Sequence, residues 1–232
     1  MVFSRTLVFS ANIQKATTLI LTFDKELEKG IYRDYFPVVW KSSKGSYTFL
    51  LDVRNIFSMM FLNVDQTPSA HGSGSVTYVN QLAFTTPQVE NDKIVTASDF
   101  TPIDLGQRTT ITKEAGPANK FTPPVPGTAP TSIVAVNETT EKIDIGVGFA
   151  LNDSEAKTAL VWSDVGVGLN VTAQFTPTLR AYITADYKED EILRGAIQSP
   201  LLWEKNLAEL HESTKLKVIQ DPATGSYTIS YA

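Results

Sequence analysis

The 232-residue chain contains no cysteine and only two histidines, His71 and His211. The missing cysteines exclude disulfide scaffolds, thiolate zinc sites, iron–sulfur centres and cysteine nucleophiles. Two histidines leave little material for a transition-metal site or for histidine-based proton transfer. His71 stands in Pro68-Ser-Ala-His-Gly-Ser-Gly-Ser75, which reads as a flexible loop. Ser73 in that loop does not complete the Gly-x-Ser-x-Gly elbow of a serine hydrolase. His211 falls near the end of a candidate helix, where a partial positive charge suits the dipole. There is no P-loop, no Gly-x-Gly-x-x-Gly between a strand and a helix, and no zinc-binding His-Glu-x-x-His. No apolar run approaches the ~18 residues of a membrane helix.

Charge of one sign is also scarce. Twenty Lys and Arg stand against 25 Asp and Glu, a net charge of −5. Residues 1–116 carry 11 basic and 11 acidic groups, and residues 117–232 carry 9 and 14. No stretch gathers Lys or Arg on one face, which argues against nucleic acid as a partner. The start, Met1-Val-Phe-Ser-Arg-Thr-Leu-Val-Phe9, lacks the unbroken apolar run of a signal peptide. It reads as a strand, with Arg5 standing in line with the apolar set Phe3, Leu7 and Phe9. The expected location is cytoplasmic. Three glycosylation sequons, at Asn137, Asn152 and Asn170, are read as chance patterns.

What is present is β-structure. Segments 17–23, 36–42, 45–53, 75–85, 142–151, 158–175 and 178–187 are rich in Val, Ile, Thr, Tyr and Phe, and are bounded by turn residues. They predict a mainly β, antiparallel sandwich or barrel-like fold. Two or three accessory helices are expected. Val53, Ile56, Phe57, Met60, Phe61 and Val64 share one helical face; residues 189–197 group Ile192, Leu193, Ala196 and Ile197. A third helix is predicted from Ser199 as N-cap and Pro200 at N1 to about Glu212, with Trp203, Leu207 and Leu210 on one stripe. Ser42–Gly45 and Asp221–Gly225, each followed by Ser-Tyr-Thr, predict hairpin turns. Five prolines among residues 116–131 mark an extended crossing loop within a single domain 1–232. The alternative is two subdomains, 1–115 and 132–232.

Paired glycines give the strongest candidate site. Gly146 and Gly148 share one face of the strand 143–149, and Gly166 and Gly168 repeat the pattern in 164–171. Glycine weakens a strand, so the pairs imply either close packing or a flat ligand lying on that face. Trp162, Asp164 and His71 join the four glycines as candidate ligand-binding residues, and the 23 aromatic residues (12 Phe, 8 Tyr, 3 Trp) could line a pocket. Asp186, Glu189 and Asp190 are the candidates for a hard divalent cation, although acidic residues opening a helix also favour the dipole without metal.

The start MVFSRTLVF, the chain length and the GSYT hairpins resemble the cysteine-free, β-rich proteins of mushroom fruiting bodies. That group includes lectins, pore-forming toxins and the pink chromoproteins of oyster mushrooms, and the chromoproteins are the nearest. The resemblance implies a non-covalently held conjugated organic pigment and no catalysis, and carries over no binding residue. The expected function is non-enzymatic binding of a planar, conjugated small molecule. The alternative is a defence protein, either a pore-forming toxin or a lectin, with a membrane or a glycan as partner.

Overall fold

The protein was analysed as a computed structural model, which describes residues 3–13, 17–24, 30–45, 70–97, 100–113, 119–150, 156–184 and 186–232. The predicted helix at 53–64 and the sequon at Asn152 lie outside these residues.

The described residues are mainly β, arranged in four sheets of four or five strands and one two-stranded hairpin. The first sheet runs Tyr227–Tyr231, Ser213–Gln220, Ser4–Ile13, Ala70–Val79. The second runs Leu201–Asn206, Thr178–Ile183, Thr17–Thr22, Val39–Gly45. In the third, Lys157–Val165 and Ile143–Phe149 are central, flanked by Phe36–Pro37 on one side and by Leu82–Thr85 and Thr101–Pro102 on the other. The fourth is built on Gln107–Lys113, Ile133–Asn137 and Asn170–Ala173. Most neighbours are antiparallel, as expected, but Ser4–Ile13 runs parallel to Ser213–Gln220, and Gln107–Lys113 to Ile133–Asn137. Alternation decides which face is buried. Leu7 and Phe9, Leu19 and Leu21, Val147 and Phe149, and Ile133 and Ala135 all enter one apolar cluster shared by the four sheets.

The predicted accessory helices are absent among the described residues, where the only helical element is the 3-10 turn Leu207–Glu209. Residues 201–206 are a strand paired with Thr178–Ile183. The spacing of Trp203 and Leu207 fits one helical face, but it also lets Trp203 enter the core from a strand and Leu207 from the turn that follows it. A neighbouring strand with unmet backbone groups decides between the two, which propensity cannot do. Within 189–197, Ile192 bridges Val38, and Leu193 is buried against Ile20 and Val39. Those residues are apolar because a sheet lies beneath them.

Several long stretches read as single strands are cut by corners that move the chain between sheets. Lys157–Val165 and Asn170–Ala173 belong to different sheets, and residues 166–169 form the turn between them. Gly168 supplies a φ of +75° there. Ala70–Val79 and Leu82–Thr85 are likewise in different sheets. The predicted turn Ser42–Gly45 is instead the end of a strand facing Thr17–Ile20. The turn Asp221–Gly225 forms as predicted: Gly225 has φ +74° and its N–H donates to Asp221 O at 2.8 Å.

From Asn119 onward the proline-rich segment pairs with a sheet. Asn119–Phe121 and Val125–Pro126 pair along one edge of Gln107–Lys113, a placement that suits proline because an edge strand has a free side. Strands from either side of it pair directly, as Thr17–Thr22 does with Thr178–Ile183 and Leu82–Thr85 with Ile143–Phe149.

Asn137 is fully buried. Its amide nitrogen donates to Glu141 O at 2.9 Å and Val165 O at 2.8 Å, while its Oδ1 accepts from Thr139 N at 3.0 Å and Thr139 Oγ1 at 2.7 Å. The sequon residues thus bond to each other. Asn137→Ala removes the acceptor of the buried Thr139 N–H and the side-chain donor to Val165 O, and is expected to lower stability by about 2 kcal/mol, read as a drop in urea midpoint at unchanged slope.

Candidate functional site

The glycine pairs are explained by neighbouring strands. A Cβ on Gly146 would stand 2.9 Å from Thr85 Cγ2 and 3.0 Å from Thr158 Cγ2. A Cβ on Gly148 would meet the carbonyl of Lys157 and lie 2.8 Å from Thr158 Cα, beside a bulge in the pairing of Ile143–Phe149 with Lys157–Val165. That face is filled by protein. Gly166 and Gly168 form the corner between two sheets, so they do not repeat the strand pattern.

Trp162 is half-buried and stacks on Tyr35, with ring centroids 5.1 Å apart. Asp164 is exposed at φ +55°, and its N–H donates to Asp144 Oδ1 at 2.9 Å. Burial raises the Asp144 carboxyl above its ordinary pKa, partly offset by that bond. Nearby, Arg194 covers the Phe36 ring at 4.3 Å and pairs with Asp92 at 2.8 Å. His71 lies on another sheet: its backbone is in strand Ala70–Val79, opposite Asn12, and not in a loop. The structure therefore does not gather the sequence-predicted residues into one site.

Two of the three acidic candidates, Glu189 and Asp190, are held by lysines. Lys157 Nζ bonds Glu189 Oε1 and lies 3.4 Å from Asp190 Oδ1; Lys41 Nζ is 3.4 Å from Glu189. Burial alone would raise the Glu189 carboxyl, but the two lysines outweigh it and hold it below the ordinary value. Asp186 Oδ2 accepts from Thr184 Oγ1 at 3.1 Å. Among the described residues no three His, Cys, Asp or Glu side chains are placed to hold a metal ion. With Lys157 on two of the three candidates, the network already has its cation.

A different set of residues converges. Phe23 follows the strand Thr17–Thr22, and its ring centroid lies 5.2 Å from Trp40, 5.1 Å from Phe149, 5.4 Å from Phe175 and 6.4 Å from Tyr78. Phe149 closes the group, 4.7 Å from Tyr78 and 4.9 Å from Phe175. Most of these pairs are tilted or edge-to-face, the arrangement in which ring edges meet ring faces favourably. Phe3 extends the nest, 6.1 Å from Tyr78. Phe23, Trp40, Tyr78 and Phe149 are buried, whereas Phe3 and Phe175 are half-buried and mark where the nest meets the surface.

Some buried donors lack a partner among the described residues. Trp40 Nε1, Trp203 Nε1 and Arg5 Nε are buried without a hydrogen-bond partner among the described residues. Arg5 lies opposite Tyr78 in the sheet register and over the Phe3 ring at 4.4 Å. An unmet buried donor costs about 1–3 kcal/mol. Burial raises the Tyr78 hydroxyl, a shift that Arg5 moderates, so the phenol stays protonated and is a donor too.

Sequence reasoning singled out none of these aromatic residues, because each sits on a different segment. One signal was available: Arg5 interrupts the apolar face of its strand, and a cation in line with Leu7 and Phe9 needs an explanation. Gly148 pointed to the right strand for another reason, since its close backbone approach precedes Phe149.

No protein-family model matches the chain, and no curated protein or solved structure matches it either.

Proposed function

We propose that this is a non-enzymatic binding protein for a planar, conjugated small molecule, held at the aromatic nest of Phe23, Trp40, Tyr78, Phe149 and Phe175. The observation that carries the reading is the coincidence of the rings with two donors that have no partner among the described residues, Trp40 Nε1 within the nest and Arg5 Nε beside Phe3. Aromatic walls stack on a flat ligand and exclude water, while a few placed polar groups fix its orientation. Donors left without protein acceptors are suited to an acceptor atom on the ligand. A conjugated acceptor in such a field would have its absorption tuned by the donors, in keeping with the resemblance to the fruiting-body chromoproteins. On this reading the ligand would enter beside Phe3 and Phe175, the half-buried members.

The test is an absorption spectrum and native mass spectrometry on protein purified from its source. A visible band travelling with a retained small molecule is expected. Trp40→Phe keeps an aromatic ring but removes the N–H, so it is expected to shift the band or release the ligand about tenfold more readily, the equivalent of one ordinary hydrogen bond. A colourless protein that carries no small molecule would sink the pigment reading. Dye release from liposomes by that same protein would favour the pore-forming alternative.

A further inference from the structure

The strand Tyr227–Tyr231 lies at one end of the first sheet and pairs on one side only among the described residues, with Ser213–Gln220. The strand Leu201–Asn206 packs against it but makes its ladder with Thr178–Ile183. Two bonds fix which backbone groups face which way. Ala232 N–H donates to Lys215 O at 3.1 Å, and Asp221 N–H to Ser226 O at 2.9 Å. In an antiparallel ladder every second residue bonds to the neighbouring strand. Thr228 and Ser230 therefore face Ser213–Gln220, while Tyr227, Ile229 and Tyr231 turn their N–H and C=O groups outward.

Other sheet edges are guarded. Phe36–Pro37, Thr101–Pro102 and Val125–Pro126 are two residues long and carry proline. Val39–Gly45 carries Lys41 and Lys44, and Leu201–Asn206 carries Glu204 and Lys205. Such features discourage a further strand from pairing. Tyr227-Thr-Ile-Ser-Tyr231 has no charge and no proline, and its residues suit a strand. Its side chains also read the same from either end: tyrosine, hydroxyl, isoleucine, hydroxyl, tyrosine.

We propose that Tyr227–Tyr231 is a self-association edge, on which a second copy of the chain pairs antiparallel about a two-fold axis at Ile229. Ile229 then faces its own copy, and Tyr227 of each chain faces Tyr231 of the other, each pair exchanging both N–H···O bonds. Between these pairs Thr228 meets Ser230 of the second copy at the closer, non-hydrogen-bonded spacing, where hydroxyls bond across strands. The axis stands normal to the sheet, so Tyr227 and Ile229 stay on the face that packs against the core. Tyr231, 58% exposed, gains the second copy's Tyr227 as a neighbour. The exposed Lys217 side chains lie one strand back in each copy, at least about 14 Å or three strand spacings apart, beyond the screening length at physiological salt. A foreign peptide could meet the same backbone groups, but it has no need of this symmetry. A ladder and a side-chain order centred on the same residue are what a self-complementary contact between identical chains requires. A five-residue edge is a small contact beside the roughly 1,200 Å² or more of stable complexes, so the dimer is reversible and concentration-dependent.

The test is sedimentation velocity on the full chain from about 1 to about 500 µM, where the wild type is expected to pass from monomer to dimer. Tyr231→Pro removes an outward N–H and leaves the ladder to Ser213–Gln220 whole, as proline does on an edge whose N–H faces solvent. It is expected to move the dimerisation midpoint at least about tenfold to higher concentration while the urea midpoint stays close to wild type. Thr228 and Ser230 are exposed, so charges are placed there without disturbing the core. Thr228→Lys with Ser230→Lys sets like charges opposite one another between the copies, and Thr228→Glu with Ser230→Lys sets opposite charges there. The second double variant is expected to dimerise at least about tenfold more tightly than the first. A wild type that stays monomeric throughout, a Tyr231→Pro dimer as tight as wild type, or equal dimerisation of the two double variants would overturn the proposal. If Tyr231→Pro does not fold, the comparison of the double variants decides.

Discussion

Gly148→Ala is expected to destabilise the protein by about 3 kcal/mol or more, although it adds a single methyl group to a β-strand. In an ordinary strand the change would be neutral or favourable, because glycine carries the greater unfolded-state entropy. Here the new Cβ would press on the carbonyl of Lys157, 2.7 Å from its carbon and 2.8 Å from Thr158 Cα. Both obstacles are backbone, and rotamer changes cannot move them. Relief requires Ile143–Phe149 to part from Lys157–Val165, the central pair of the third sheet. Gly146→Ala is the informative comparison. Its contacts are the Thr85 and Thr158 methyl groups, which can rotate away, so its cost should be smaller by at least half. Urea denaturation of the two variants checks the ranking. Equal stability of wild type and Gly148→Ala would show that the bulge at Val147/Gly148 is soft.

Phe149→Ala is expected to cost about 3–5 kcal/mol, the range for removing a buried phenylalanine. The ring touches Phe23, Trp40, Tyr78 and Phe175, which come from four other segments, so no single neighbour can collapse into the space. The size of the cavity term depends on such collapse. Phe149→Leu restores most of the volume without the ring quadrupole, and its cost should fall to roughly 1–2 kcal/mol. The pair of variants also bears on function. If a flat ligand rests on this nest, Phe149→Leu should weaken its retention far more than it weakens the fold. Equal loss of both would make Phe149 a core residue and nothing else.

The strands show how far local pattern reaches. Period-two alternation placed Thr17–Thr22, Ile143–Phe149 and Thr178–Ile183 because each has one face toward the shared core, and that requirement is written in the residues themselves. Helical spacing misled at 200–212, where two apolar residues four apart satisfy a helix stripe and equally a strand leading into a turn. The glycines were legible as a close approach. Whether the approaching atoms belonged to a ligand or to a neighbouring strand was not, because Lys157 is nine residues further on and only the pairing register brings its carbonyl to Gly148.

The sequence by itself determined that the chain is mainly β, that no cysteine chemistry is available, and that Arg5 stands among apolar neighbours. These are properties of composition and of a two-residue period, and both are local. Only the tertiary structure decided which sheet each strand joins, that Phe23, Trp40, Tyr78, Phe149 and Phe175 meet, and that Asp24 is buried between Tyr182 and Arg180. The physical reason is range. Alternation fixes which way a side chain faces, but what it faces depends on chain segments as far apart as Asp24 and Tyr182, 158 positions along the sequence.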